Sequence, residues 1–214
     1  ARDQFGIEGR LIVTCVRHFG VERSMEVARQ VVDEPHPLVT GFGMGGDEAG
    51  HPPGQFSRAF QYVADSGLPC TVHAGEWAGP EGIREAIETL PVTRLGHGIR
   101  VIEDRALLSE VIARGITLEV CPGSNLATGI YPDYASHPVA DLIASGAKVT
   151  LSSDDPPYFA TSIGKEYDDA GTYLGMDAGA LIGITRNAIE AAFVDEPTRA
   201  KLMSRLDDAA NETG

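Results

Sequence analysis

Several features are scarce or absent in the sequence, and each absence excludes a class of protein. No apolar run approaches the ~20 residues that a membrane-spanning helix requires. Basic residues are scarce, because 17 Lys and Arg stand against 31 Asp and Glu, which gives a net charge of -14. Such a charge repels the phosphate groups of nucleic acids and of anionic lipids. We therefore expect a protein that binds neither nucleic acids nor membranes, and a small neutral ligand is compatible with this charge.

Cysteine is also rare. The three cysteines, Cys15, Cys70 and Cys121, form no Cys-x-x-Cys pair, and each lies within or at the end of an apolar run. This placement is typical of buried thiols in a reducing compartment, so we predict a cytoplasmic protein. The chain begins without Met or a signal-like segment, and residues 1–10 resemble the interior of a domain, so we expect a further segment before them.

Short apolar runs alternate with longer segments of helical periodicity, a pattern that predicts βαβ units around a parallel sheet. A glycine-rich loop is predicted at 43–48, and no phosphate-binding glycine motif follows a predicted strand. The pattern therefore favours a TIM-type (β/α)8 barrel over a doubly wound sheet, with about six of its eight strand-helix units in one domain, residues 1–214. The predicted strands are 11–16, 38–42, 70–73, 94–96, 117–121 and 148–152. The predicted helices are 22–32, 55–66, 80–90, 104–114 and 139–145, with a mostly helical segment at 164–214.

Polar residues cluster just beyond the carboxyl ends of the predicted strands, where barrel enzymes place their active sites. One such residue would carry little information, but five or six strand ends with potential ligands or acid-base groups indicate a site. Imidazoles and carboxylates at these positions can bind a metal or exchange protons. The clusters are Arg17-His18, Gly46-Asp47-Glu48, His73 with Glu76, Gly96-His97-Gly98, Ser124-Asn125 and Asp154-Asp155.

The adjacent acids Asp154 and Asp155 can be interpreted in two ways. If they continue the strand, they point to opposite sides, so that one carboxylate faces the barrel axis and the other the rim. Alternatively, Asp-Asp-Pro is a turn in which an aspartate caps the following helix. Both interpretations stay open on the residues alone.

Other residues have plainer interpretations. His36 and His51 lie in proline-rich loops and are expected to face solvent, and His137 is expected to start a helix. Trp77 either shields a pocket or packs between loops. Cys121 is expected to be a buried thiol rather than a nucleophile, because no base lies near it in the sequence.

Four motifs together resemble those of the adenosine deaminase family of metal-dependent amidohydrolase barrels. They occur in the family's order and at similar separations, and the resemblance covers nearly all of the chain. The motifs are Thr71-Val72-His73-Ala74-Gly75-Glu76, Leu95-Gly96-His97-Gly98, Cys121-Pro122-Gly123-Ser124-Asn125 and Ser153-Asp154-Asp155-Pro156.

The resemblance implies a role for each motif residue. His73 and Asp154 would be zinc ligands, and Glu76 would exchange a proton with the purine ring nitrogen N1. His97 would orient and help activate the zinc-bound water. Asp155 would contact N7 of the ring, and the backbone at Gly46 would contact N3. Glu76, His97 and Asp154 are therefore the expected catalytic residues.

One departure from the family pattern concerns the metal. The family has a His-x-His pair on its first strand that supplies two further zinc ligands, and no His-x-His occurs in this sequence. The six predicted strands correspond by motif to the family's third to eighth. We therefore expect that a missing segment, or self-association, completes the barrel, and that this chain alone is doubtful as an enzyme.

The resemblance implies zinc-dependent hydrolytic deamination of a 6-aminopurine nucleoside, most simply adenosine to inosine and ammonia. Adenine is an alternative. The family's adenine-specific branch tends to have Asp where this chain has Gly96, whereas the sequence from Ser153 to Phe159 leans toward that branch. Aminodeoxyfutalosine is a further candidate substrate, and a catalytically silent purine- or protein-binding relative is the alternative of another class.

Overall fold

The central element of the structure, a computed structural model that describes residues 2–213 and the side chains of residues 4–211, is a parallel sheet. Within residues 2–213 it has six strands, which lie side by side in sequence order. This arrangement of alternating strands and helices confirms the predicted partial (β/α) barrel. Ala1 and Gly214, which the predicted ranges include, lie outside the described residues. The strands are β1 (Leu11–Val16), β2 (Val39–Gly45), β3 (Cys70–Ala74), β4 (Val92–His97), β5 (Thr117–Val120) and β6 (Lys148–Leu151).

Helices follow the strands and cover one face of the sheet. Glycines with left-handed φ of 88°, 67° and 88° end α3, α5 and α7, namely Gly67, Gly115 and Gly146. The helix after β5, over the Cys121-Pro122 motif, was not predicted. The helices are α1 (Arg2–Phe5), α2 (Val21–Asp33), α3 (Ser57–Asp65), α4 (Pro80–Thr89), α5 (Arg105–Ala113), α6 (Pro122–Ala127), α7 (Val139–Ala144), α8 (Pro156–Phe159), α9 (Ile163–Tyr173), α10 (Ala178–Ala191) and α11 (Glu196–Thr213).

The hydrophobic core lies between the sheet and these helices. Leu95 and Leu118 point from neighbouring strands into this layer and are fully buried, as are Phe60 of α3 and Leu107 of α5. The opposite side chains of each strand point toward the barrel axis, because successive strand residues alternate between the two faces. The core therefore holds the strands in register and leaves their other face for polar residues.

The predicted loop at 43–48 is wrong for its first three residues, which belong to β2. Phe42 and Met44 are buried in the core, and the alternate glycines face the barrel interior. A Cβ on Gly43 would lie 3.1 Å from Thr14 Oγ1, so a larger residue would crowd the interior. Residues 41–46 match the spacing Gly-x-Gly-x-x-Gly, but all except Gly46 lie within the strand, so they form no phosphate-binding turn.

The sheet is open between β6 and β1. Within the described residues β1 pairs only with β2, and β6 pairs only with β5. Leu11, on the free edge, is 53% exposed. Unpaired parallel edges leave backbone N–H and C=O groups without partners in the sheet. The observed unit is therefore an arc of a barrel rather than a closed one.

The amino ends of the strands are closed by the segment after α10. The guanidinium of Arg94 lies 3.6 Å from the centre of the Phe193 ring and donates to the Ala191 carbonyl oxygen at 3.0 Å. Arg94 also pairs inside the barrel with Glu119, at 2.8 Å. A cavity of about 510 Å³ lies at this end, far from the carboxyl ends of the strands. No described helix combines the length and apolar character needed to cross a membrane.

Candidate active site

The carboxyl ends of β3, β4 and β6 bring four of the predicted site residues together. His97 Nε2 lies 3.5 Å from Glu76 Oε2 and 3.7 Å from Asp154 Oδ2. The rings of His73 and His97 are 5.0 Å apart, centre to centre. Ligand atoms of His73, Glu76 and His97 lie within 4.8 Å of one another, as do those of His97, Cys121 and Asp154. The sequence thus predicted a real convergence of imidazoles and carboxylates.

His73 occupies space that glycine leaves free on the neighbouring strand. A Cβ on Gly96 would lie 2.6 Å from His73 Cδ2, so any larger residue would displace the ring. The buried guanidinium of Arg17 donates to the His73 carbonyl oxygen at 2.5 Å and to the His51 carbonyl oxygen at 3.2 Å. These contacts fix the strand end from which the imidazole projects.

Asp154 lies in a strained loop rather than on a strand. β6 ends at Leu151, and Asp154 has φ of 53°, in the left-handed region that non-glycine residues rarely adopt. The interpretation based on strand alternation is therefore wrong for this pair. Ser124 Oγ donates to Asp154 Oδ2 at 2.7 Å and orients this carboxylate.

Asp155 is exposed and precedes α8, but its side chain makes no capping hydrogen bond to that helix. The alternative interpretation is therefore correct in placing an aspartate at the N-cap position before a helix, and wrong in expecting its side chain to cap that helix. Asp155 and Gly46 instead line a common cavity of about 410 Å³ above the convergence. Gly46 has φ of 100°, which favours glycine.

Glu48 organises the loop that carries Glu76. Its carboxylate is 4% exposed, and Oε2 accepts hydrogen bonds from the backbone N–H groups of Gly75, Glu76, Trp77 and Ala78 at 2.9–3.2 Å. This concave run of amides is an anion-binding arrangement, and the ionised carboxylate satisfies it. Burial, the charge of Glu48 and the charge of Asp154 raise the pKa of Glu76 to about 7. Glu76 can therefore hold a proton near neutral pH.

A hydrogen-bonded chain lies behind His97. Asn125 Nδ2 lies 3.3 Å from His97 Nδ1, and His137 Nε2 lies 3.1 Å from Asn125 Oδ1. Burial and the neighbouring imidazoles lower the pKa of His97 to about 3, and burial lowers the pKa of His137 to about 4. His137 precedes α7 as predicted, but it is buried within the site's framework. His36, by contrast, is exposed as expected, whereas His51 is only partly exposed.

The cavity above the convergence has the size and lining of a small-molecule site. Glu76, Asp155 and the backbone of Gly46 border it, and Phe159 and Trp77 add aromatic surface. Trp77 is 54% exposed, which favours a place at the rim over one packed between loops. Cys121 is buried, and burial with nearby carboxylates raises the pKa of its thiol, which argues against a nucleophile.

His73 and Asp154 can contribute to a metal site. An imidazole nitrogen and a carboxylate oxygen are donors that zinc accepts. Within residues 4–211, neither ring nitrogen of His73 has a hydrogen-bond partner, so the imidazole is free to coordinate an ion. His73 and Asp154 therefore fit a divalent metal in donor type, and these two alone supply only part of the three or more protein ligands that a zinc site uses.

The sequence did not predict the residues that hold the site in place. Glu48 was among the polar clusters, but nothing indicated that it binds the Glu76 loop. Arg17 and Asn125 were named without a role, and Ser124 likewise. A histidine before proline, such as His137, carries no signal of burial. Only the fold brings these residues into contact with the predicted site residues.

Comparison with known proteins gives consistent matches. Residues 1–209 match the family model described as adenosine deaminase. The chain is 48% identical over 209 residues to a protein of Agrobacterium fabrum named adenine deaminase. This match covers 98% of the chain and 64% of that protein. The structure of an adenine deaminase from Arthrobacter aurescens matches with a TM-score of 0.93 and 30% identity over 98% of this chain and 64% of the other. The apo structure of the N6-methyl-AMP deaminase of Arabidopsis thaliana matches with a TM-score of 0.85 and 27% identity, over 95% of this chain and 59% of the other. The chain thus spans less than two thirds of each of these relatives.

Proposed function

Since the chain belongs to the adenosine deaminase family, we propose that it forms the C-terminal two-thirds of the barrel of an aminohydrolase that converts a 6-aminopurine to the 6-oxopurine and ammonia. The observation that carries this proposal is the Glu76 carboxyl. Its pKa is raised to about 7, and it faces His97 beside a cavity of purine-compatible size. In the proposed reaction a protonated Glu76 would be the general acid.

We propose free adenine as the substrate. Relatives named adenine deaminase, 44–49% identical to the chain, support it, and so does the Arthrobacter aurescens structure. The preference for adenosine expected from the sequence has no support among these relatives. It rested in part on glycine at position 96, and the space that Gly96 leaves for the His73 ring explains that glycine without reference to the substrate.

The chain's own residues would act on the ring from one side of the cavity. A protonated Glu76 would donate to N1 and draw electrons from C6, so that attack there does not leave an anion on the ring. His97, neutral and buried, would donate a hydrogen bond to the oxygen atom that adds to C6. Asp155 would contact N7, and the backbone at Gly46 would contact N3. These contacts would hold C6 above the convergence of His73 and Asp154.

A zinc ion held by His73, Asp154 and two histidines from elsewhere in the protein would supply a hydroxide nucleophile at neutral pH. The open edges of β1 and β6 support the addition of further strands in the complete enzyme. We expect the isolated 214-residue chain to bind zinc weakly, because two protein ligands hold it poorly. Metal analysis of the purified monomeric chain tests this, and one tightly bound zinc per chain would contradict the proposed ligand set.

Steady-state assays of the complete enzyme test the substrate. Ammonia release would be measured with adenine, adenosine and aminodeoxyfutalosine under the same conditions. We expect the highest kcat/KM for adenine. A higher value for either nucleoside would refute the proposed substrate, and binding of adenine without any turnover would identify a catalytically silent relative.

A further inference from the structure

The chain of hydrogen bonds behind His97 has a fixed direction, and its origin is a backbone amide. Val139 N lies 3.2 Å from His137 Nδ1, and its N–H can only donate. Nδ1 of His137 therefore carries no proton. In this ring the proton lies on Nε2, which donates to Asn125 Oδ1 at 3.1 Å.

The direction continues through the amide. With Oδ1 of Asn125 occupied as an acceptor, its other end is the NH2 group, and this group faces His97 Nδ1 at 3.3 Å. An amide NH2 has no lone pair to offer, so it must donate. His97 Nδ1 is therefore an acceptor without a proton, and the single proton of the neutral ring lies on Nε2.

That proton points into the site. His97 Nε2 lies between the two carboxylates, 3.5 Å from Glu76 Oε2 and 3.7 Å from Asp154 Oδ2. All three residues of the chain are buried, with His97 1%, Asn125 0% and His137 4% exposed, so solvent does not compete for these bonds. We propose that His137 and Asn125 are positioning residues that fix His97 as the Nε2–H tautomer, and hence as a hydrogen-bond donor to the reacting atoms.

This inference rests on the proposed function only in naming what His97 acts on, because the tautomer itself is independent of substrate. Long-range 1H–15N correlation spectra of the 15N-labelled complete enzyme identify which imidazole nitrogen carries the proton. We expect a protonated Nε2 and an unprotonated Nδ1 for His97, assigned by the signals lost in His97→Gln. A proton on Nδ1 in the wild-type enzyme would overturn the proposal, even if no variant of Asn125 or His137 folds.

Three substitutions test the direction of these hydrogen bonds. Asn125→Asp places a carboxylate, which only accepts, between the two rings, so the single proton of the neutral His97 ring should move from Nε2 to Nδ1 and the 15N signals of both nitrogens should shift accordingly. His137→Phe removes the donor that orients Asn125. His137→Gln keeps a donor for Asn125 Oδ1, so it should retain most of the wild-type kcat. We expect kcat to fall about 10–100-fold in the first two variants with KM little changed.

Another histidine of the protein offers a matched control. His36 makes the same bond, in which its Nδ1 accepts from the N–H two residues later at 3.2 Å, but it is exposed and precedes the amino end of β2, whereas the site lies at the carboxyl ends of the strands. His36→Gln should leave the His97 signals and kcat unchanged. An unshifted His97 Nδ1 signal in Asn125→Asp, or equal losses for His137→Phe and His137→Gln, would refute the proposal. Loss of adenine turnover with the tautomer intact would refute only the proposed function.

Discussion

Replacing Glu48 by glutamine removes a buried charge while keeping the shape of the side chain. In the native protein Oε2 accepts from four consecutive backbone N–H groups of the loop that carries Glu76. The glutamine oxygen can take the same position, so the loop keeps its acceptor. The principal change is electrostatic, because the negative charge of Glu48 is one of the causes of the raised pKa of Glu76.

The size of the effect follows from the order of these causes. Burial is the largest contribution, Glu48 the second and Asp154 the third. A neighbouring like charge typically shifts the pKa of a carboxyl group by about 1 or more, and Glu48 is a smaller cause than burial, so we expect the pKa of Glu76 to fall by about 1 in Glu48→Gln. In the proposed reaction the protonated form of Glu76 is the active one, so kcat should fall as pH rises through this pKa. Glu48→Gln therefore moves the descending limb of the pH profile toward lower pH, and lowers kcat up to about tenfold on that limb.

The assay is the pH dependence of kcat for adenine in the complete enzyme. Glu81→Gln is the matched control, because it removes an exposed charge from the start of the neighbouring helix α4 and should leave the limb in place. Glu48→Ala, which also removes the acceptor, should lower kcat at every pH because four N–H groups lose their partner. A limb that stays in place or moves to higher pH in Glu48→Gln would refute this account of Glu76.

Three further predictions concern the site. Glu76→Gln should lower kcat by about 100-fold or more with zinc and adenine binding retained, because the amide cannot deliver the proton; a smaller loss in kcat would remove Glu76 as the acid. Asp154→Ala should lose zinc in metal analysis, whereas Asp155→Ala should keep zinc and raise KM for adenine; equal zinc loss would contradict the division of roles. Gly96→Ala should weaken zinc binding about 10–100-fold in metal titrations, because its Cβ would lie 2.6 Å from the His73 ring, and unchanged affinity would show that the ring can move aside.

Much of the fold could be predicted from the sequence because apolar periodicity is local. The six strands and the main helices appear where short apolar runs and glycine-terminated segments place them. β2 was predicted too short, because Gly43 and Gly45 resemble loop residues until their neighbours across the barrel interior are known. Long-range contacts, which no local pattern reports, decide that such residues belong to a strand.

The site, like the fold, has features that could be predicted from the sequence and features that could not. His73, Glu76, His97 and Asp154 follow strand ends, and a barrel brings strand ends together, so their convergence could be predicted. The left-handed backbone at Asp154 could not, because nothing in Asp-Asp-Pro distinguishes a strained loop from a strand end or a cap. The partners behind these residues lie 28 or more positions away in sequence, as Glu48 does from Glu76, and only the folded sheet brings them into contact.

The most direct test of the central claim is the product balance of the complete enzyme with adenine. Hypoxanthine and ammonia would be measured together over the course of one reaction, in the wild type and in Glu76→Gln. We predict one hypoxanthine and one ammonia for each adenine consumed, and almost none of either in the variant. Adenine that persists unchanged with the wild-type enzyme, or turnover that survives in Glu76→Gln, would contradict the assignment of an adenine aminohydrolase that uses Glu76 as its acid.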